Sequence, residues 1–544
     1  MGKTRRRAPA DAKDGPESLL RGIATVPACL MGLWLVTSST EAKDFDPLND
    51  PVPKAVCGHS DHTETGLQGE TTQKERSSGD SKRAYNCNLE LVGEYRGEGA
   101  YSQDGPAYAD NCAYYATDNT NSLQQHLGVT VVDVSDPKNP HPTAYLNDSA
   151  AARTPHETLA VNKKRHLLAV AQFNGPDFAV YDVSDCRHPV LKADIQLVGS
   201  QGHMGNFTPD GMTYYVGQAF RGVGGFVYII DLSDPSNPKQ LPTWQYLGDG
   251  RPHGLEFNAE GFVPGVAEGT RFYAGQPGLF GEPSNNSSFG PDGLVIEDVS
   301  DYQNRVANPQ IRIISKLFWS DQGQAEPMVP VKIDGHPYLI SSDESGGAGG
   351  VGGWPAACAR GASPFGYPQI IDIGDETKPK IVARLRLEVH LPANCSALLA
   401  ETPPDSPGIA IVYNEERCVP NRLHDATMMA CGLQNSGLRV FDIHDPLHVR
   451  EIAYWKPGAV GTEVRPASGS WVQGANATVD KISGWARWVV VDKGNGKGAD
   501  LDAQLWTVSD GNGFQVLHFS QDFVAKNKDL FNRERQTASR ASEE

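Results

Sequence analysis

The chain has 544 residues, a hydrophobic fraction of 39%, and 66 acidic against 48 basic side chains, giving a net charge of −18. Binding to a phosphate backbone needs clustered Lys and Arg; no such cluster lies outside the extreme N-terminus, which argues against nucleic acid as a partner. The 57 Gly and 38 Pro follow no collagen period and suit a protein of many short strands and turns.

Residues 1–42 have the order of a secretory signal. A basic stretch beginning at Arg5, Arg6 and Arg7 is followed by an apolar run, Gly22 to Val36, and then by Thr40 and Ala42 at cleavage-site spacing. The run is shorter than the roughly 20 residues of a spanning helix, so an uncleaved anchor is the alternative and the one expected membrane attachment. Removal of the signal takes Cys29 with it and leaves eight cysteines: 57, 87, 112, 186, 358, 395, 418 and 431. An even number in an exported chain predicts disulfides and a secreted or cell-envelope setting, with the pairing open. Residues 43–88 are polar and predict a partly disordered leader pinned through Cys57 and Cys87. Leu89 to Tyr95 then reads as a strand.

From there one phrase recurs. It reads GVTVVDVSDPKNP at 128–140, FAVYDVSDCRHP at 178–189 and FVYIIDLSDPSNP at 226–238. Looser copies are GLVIEDVSD at 293–301, PQIIDIGDETKP at 368–379 and GLRVFDIHDP at 437–446, and FQVLHFSQD at 514–522 closes the series. In each copy alternating β-branched and aromatic residues make a strand, and Ser-Asp-Pro stops it: Asp caps the turn and Pro removes a donor. Another short strand follows each stop. Four strands per unit of 45–70 residues is the period of a propeller blade. The last phrase lacks an outer strand, and the segment 89–95 can supply it and close the ring. The prediction is an all-β, seven-bladed propeller of four-stranded blades over 89–522, with a charged tail at 523–544.

The phrases together resemble those of LVIVD-repeat proteins over residues 89–520, and ACGLQNSGLRVFDIHD (430–445) and QLWTVSDGNGFQVLHF (504–519) look especially like secreted bacterial members. The resemblance implies a propeller in an envelope or extracellular setting and does not by itself imply a reaction.

Residues opening the first strand of a blade point toward the axis, where several blades converge. Pro155-His156-Glu157 lies 23 residues after Asp133, Gly202-His203-Met204 lies 21 after Asp182, and Pro252-His253-Gly254 lies 22 after Asp231. The next blades offer Glu326 and Glu416. Imidazoles with a carboxylate are ligands for Zn²⁺, Cu²⁺, Ni²⁺ or Fe²⁺, so His156, His203, His253 and Glu326 form a candidate metal or anion site at the channel mouth. The competing reading is structural, with each His bonded to the neighbouring blade's backbone. The Pro-His-Gly starts resemble those of lactonase-like and selenium-binding-protein-like propellers, and in the latter a histidine-lined channel binds metal.

Other segments carry less. The glycine-rich run 345–353 lacks the Lys-Ser/Thr of a phosphate loop, and 492–502 lacks the oxygen ligands of a calcium loop. No GxSxG elbow occurs, and no catalytic residue is assigned. Cys418 and Cys431 flank a hairpin that a disulfide would brace. Two functions stand: an exported scaffold that binds a protein, small molecule or glycan, and a metal-dependent oxidoreductase or hydrolase working in the histidine-lined channel.

Overall fold

In a computed structural model, the described residues are 45–97, 99–100, 106–117, 126–200, 202–217, 225–245, 251–278, 291–349, 353–401, 412–460, 480–492, 501–528 and 530–531. The signal at 1–42, the sequence 493–500 and most of the charged tail lie outside them.

The strands form seven antiparallel sheets, one per blade. Blade one is Ala107–Ala109, Cys112–Thr117, Gly128–Asp133 and His141–Leu146. Blades two to five repeat that order, beginning at Ala160–Asn162, Met204–Phe207, Gly254–Phe257 and Ala325–Ile333. Blade six begins at Arg417–Pro420 and blade seven at Arg487–Asp492. The ring closes as the sequence predicts. Leu89–Tyr95 pairs antiparallel with Gly513–Phe519, with Leu89 opposite Phe519 and Tyr95 opposite Phe514.

The recurring phrase is the third strand of a blade plus its exit turn. Third strands are buried on both faces, as in Gly128–Asp133 and Leu438–Asp442, because neighbouring blades stack on each side. The terminal Asp then accepts the backbone N–H two residues on: Ser135 to Asp133, Ser184 to Asp182, Ser233 to Asp231, Ser300 to Asp298, Gly374 to Asp372 and His444 to Asp442, at 2.8–3.2 Å. A second Asp repeats the device in five blades, at 136, 185, 234, 375 and 445. These consecutive Asx turns end one strand and aim the next outward. Blade seven departs from the pattern: Ser520 caps the helix Gln521–Lys526 instead, and Phe523 and Phe531 pack on Phe519.

Residues 45–88, expected as a polar leader, run along blades five and six. Arg384 N–H donates to Pro47 O and Glu451 N–H to Pro53 O, and Tyr85–Cys87 adds a fifth strand to blade six against Arg450–Lys456. Polar residues are held there by ion pairs: Glu64 meets the buried Arg439 at 2.7 Å and Lys456 at 3.2 Å.

All eight cysteines after residue 42 pair, as 57–87, 112–186, 358–395 and 418–431. Cys418 and Cys431 face one another across the first two strands of blade six, the brace expected there. Four disulfides point to an oxidising, extracytoplasmic environment, and no described helix is long and apolar enough to cross a membrane. Cys112–Cys186 joins positions 74 apart in sequence and fastens blade one to blade two. By loop-closure entropy, Cys112→Ser/Cys186→Ser should lose about 4 kcal/mol of stability, read as a lower urea midpoint. A loss under about 1 kcal/mol would show that the blade interface alone holds the two together.

Candidate site at the channel mouth

The histidines that share a register in the sequence share a backbone position in the fold. His203 N–H donates to Gly217 O at 3.0 Å and His253 N–H to Gly275 O at 2.7 Å, each tying the residue before an inner strand to the end of the second strand. Glu416 N–H does the same with Gly432 O at 3.2 Å. His156 stands in a turn with φ +47°, closed by the Thr158 N–H to Pro155 O bond. Gly254 and Gly275 let blade five come close: a Cβ on either would lie 2.4 Å or 1.9 Å from Glu326 O.

These positions converge. His203 Nε2 lies 3.1 Å from His253 Nε2, and Glu157 Oε2 lies 3.4 Å from each. His156 packs edge-on against His203, with ring centroids 4.6 Å apart, and its other side meets Phe173. Glu326 Oε1 lies 3.0 Å from His253 Nδ1, the ring nitrogen opposite the one facing His203. All four residues expected in the site are therefore brought together, with His156 and Glu326 at its two ends. The sequence reading left Glu157 unassigned although it follows His156, and it did not single out Arg417.

Arg417 organises the carboxylates. Its Nη2 meets Glu157 Oε1 at 2.9 Å and its Nη1 meets Glu326 Oε2 at 2.6 Å, every side chain being at most 3% exposed. One guanidinium thus bridges blades two, five and six. Burial alone would raise Glu157, but Arg417 and the histidines hold it well below the usual carboxylate range. Glu326 goes the other way, because burial and the neighbouring Glu157 outweigh Arg417. Burial and Glu416 push Glu344 up to about 8, and burial also raises Glu416, against Lys481 and Arg417. Burial holds His203 well below its ordinary value and lowers His253, so both imidazoles are neutral, the ligating form.

The triangle His203 Nε2, His253 Nε2 and Glu157 Oε2 has metal-site dimensions. Its edges of 3.1–3.4 Å match the roughly 3.3 Å edge of a tetrahedron with ligands 2.0–2.1 Å from a Zn²⁺ ion. Glu326 Oε1 faces His253 Nδ1 at 3.0 Å, on the side of the ring away from Nε2, where a carboxyl group can orient the imidazole. Two other groups rich in ligands, Cys57-Asp61-Cys87 and Glu415-Cys418-Cys431, have their sulfurs bound in disulfides.

Fold and site together define a seven-bladed propeller with a histidine–carboxylate cluster at one channel mouth. No family model matches the chain, and no curated protein matches it. Among solved structures it is similar to a periplasmic gluconolactonase of Pseudomonas aeruginosa (TM-score 0.44, 11% identity, covering 75% of this chain and 99% of that one). Hydrazine synthase of Kuenenia stuttgartiensis aligns at TM-score 0.41 and 12% identity over 77% and 96% of the two chains. Sqt1 of Saccharomyces cerevisiae aligns at TM-score 0.38 and 10% identity over 79% and 98%.

Proposed function

We propose that this exported propeller holds a divalent transition-metal ion at the channel mouth through His203, His253 and Glu157, with His156 beside them and Glu326 orienting His253. The observation that carries this reading is the tetrahedral spacing of the two Nε2 atoms and Glu157 Oε2. Charge supports it as well: Glu157 is held ionised beside Arg417, the state in which a carboxylate binds a cation. Three protein ligands leave a coordination position for substrate or water, which suits a metal-dependent hydrolase, or an oxidoreductase if the ion is Cu or Fe.

A second reading has its own support: Arg417 joins three blades across the axis, and a clasp of that kind serves a rigid binding scaffold with no chemistry. Elemental analysis of the chain, purified without chelator or affinity metal, separates the two. Near-stoichiometric metal, lost in a folded His156→Ala/His203→Ala/His253→Ala variant, is the expected result. A wild type that stays metal-free after incubation with Zn²⁺ and Cu²⁺ would overturn the metal reading and leave the scaffold.

A further inference from the structure

Beyond Glu157 the channel widens into a cavity of about 440 Å³ with a different character. Its wall carries Lys163, Arg422 and Arg487, set among Tyr108, Trp485 and Trp488. In a chain of net charge −18 this is a local reversal of sign. The two carboxylates on the wall do not offset it. Glu157 is engaged by Arg417 and the histidines. Burial pushes Glu256 up to about 8, which leaves it mostly protonated at neutral pH and bonded to Asn206 Nδ2 at 3.3 Å.

Arg487 is the telling residue. Its guanidinium lies 4.8 Å from the Trp506 ring centroid and 5.7 Å from that of Tyr108, so two aromatic rings hold it in place. Its Nη1 is buried and has no hydrogen-bond acceptor among the described residues. Asp110 attracts both Arg487 and Lys163 electrostatically. A guanidinium so placed, with a donor out of water and no acceptor, is costly unless an anion completes it. Trp488 is held by its own Nε1–H bond to Val419 O at 3.0 Å, which sets an indole beside the cations.

We propose that this cavity binds a small organic anion, its carboxylate on Arg487 and Lys163 and its flat or apolar body against Trp485 and Trp488. The volume suits a compact ligand, a guanidinium suits a carboxylate, and the indoles supply contact that a bare inorganic anion would not use. The site does not rest on the metal reading. Glu157 lies on the cavity wall and also in the metal triangle, so a ligand bound here would have one end near that ion if it is present.

Calorimetric titration of the metal-stripped, dialysed chain at pH 7 and low salt tests this, with benzoate, benzyl alcohol and sulfate as probes. Benzoate should saturate one site, with benzyl alcohol and sulfate each at least about tenfold weaker. Lys163→Ala, at an exposed position and so safe for folding, should weaken benzoate about fivefold, and Arg487→Ala about tenfold or more, with Arg487→Lys between it and wild type. Absence of saturable benzoate binding, or unchanged affinity in folded Lys163→Ala and Arg487→Lys, would overturn the site. Sulfate binding as tightly as benzoate would overturn its organic half. Because the titrations use metal-stripped protein, failure here leaves the metal proposal standing, and the reverse holds.

Discussion

Arg417→Met should destabilise the propeller by about 3–5 kcal/mol at pH 7, the loss expected when one partner of a buried ion pair is removed. The variant side chain fills similar space, so the loss reports charge: Glu157 and Glu326 are at most 3% exposed and lose the guanidinium bonded to both. A signature in pH should accompany it. Arg417 and the histidines hold Glu157 well below the usual carboxylate range; without the guanidinium, burial dominates and raises it. A carboxyl with its folded value above its unfolded one binds the proton more tightly when folded, so the variant regains stability, relative to wild type, as pH falls from 7 to 5. Urea unfolding at the two pH values measures this. A loss under about 1 kcal/mol with no pH recovery would show that the cluster adjusts without its cation.

The second large effect is expected at Glu64→Gln. Glu64 makes two hydrogen bonds with Arg439, at 2.7 and 3.1 Å, meets Lys456 at 3.2 Å and accepts the Gly69 N–H at 3.0 Å. Arg439 and Lys456 are both fully buried. With a neutral amide at 64, Arg439 keeps Glu451 at 2.8 Å, but Lys456 loses its charge partner and is left with the carbonyls of Gly69 and Glu70. The expected loss is again about 3–5 kcal/mol. It should be felt first in residues 61–88, whose amides should exchange faster while the Cys57–Cys87 bond keeps the segment attached. The wild type should show the same weakness in acid. Burial opposes the charge on Glu64, but Arg439 and Lys456 bring its pKa down to about 2. A depressed carboxylate stabilises fully above its unfolded value near 4.5, and that stability drains away as pH falls toward 2. Hydrogen exchange of 61–88 that stays slow in the variant and at pH 3 would show that strand pairing and the disulfide hold the segment alone.

The blades were legible because their signal is local. The alternation of Val, Ile, Phe and Tyr before each Asp reflects burial on both faces of a third strand, and the Asp itself bonds an amide two residues away. Both facts live within a dozen residues. Ring closure was legible for the same reason: 89–95 reads as a strand, and the last blade visibly lacks one. The histidines could be found because a repeat converts sequence spacing into position around an axis, so offsets of 21 to 23 residues from Asp133, Asp182 and Asp231 place His156, His203 and His253 at one mouth.

The rest depended on contacts that spacing does not encode. Glu157 points into the cluster because the turn at His156 aims it there, and Arg417 reaches it across 260 positions of chain. Glu326 met His253 from the opposite ring nitrogen, a matter of side-chain direction rather than register. The polar run 45–88 reads as loose because Glu64 finds its partners, Arg439 and Lys456, on blade six, hundreds of residues away. The cation-lined cavity has no sequence signature: Lys163, Arg422 and Arg487 come from blades two, six and seven and meet only when the ring closes. The sequence by itself determined the strands, their turns, the closure and the histidine register, all of which follow from short-range backbone chemistry. Only the tertiary structure decided which charges face one another, because in a closed ring that depends on blades brought together across the axis.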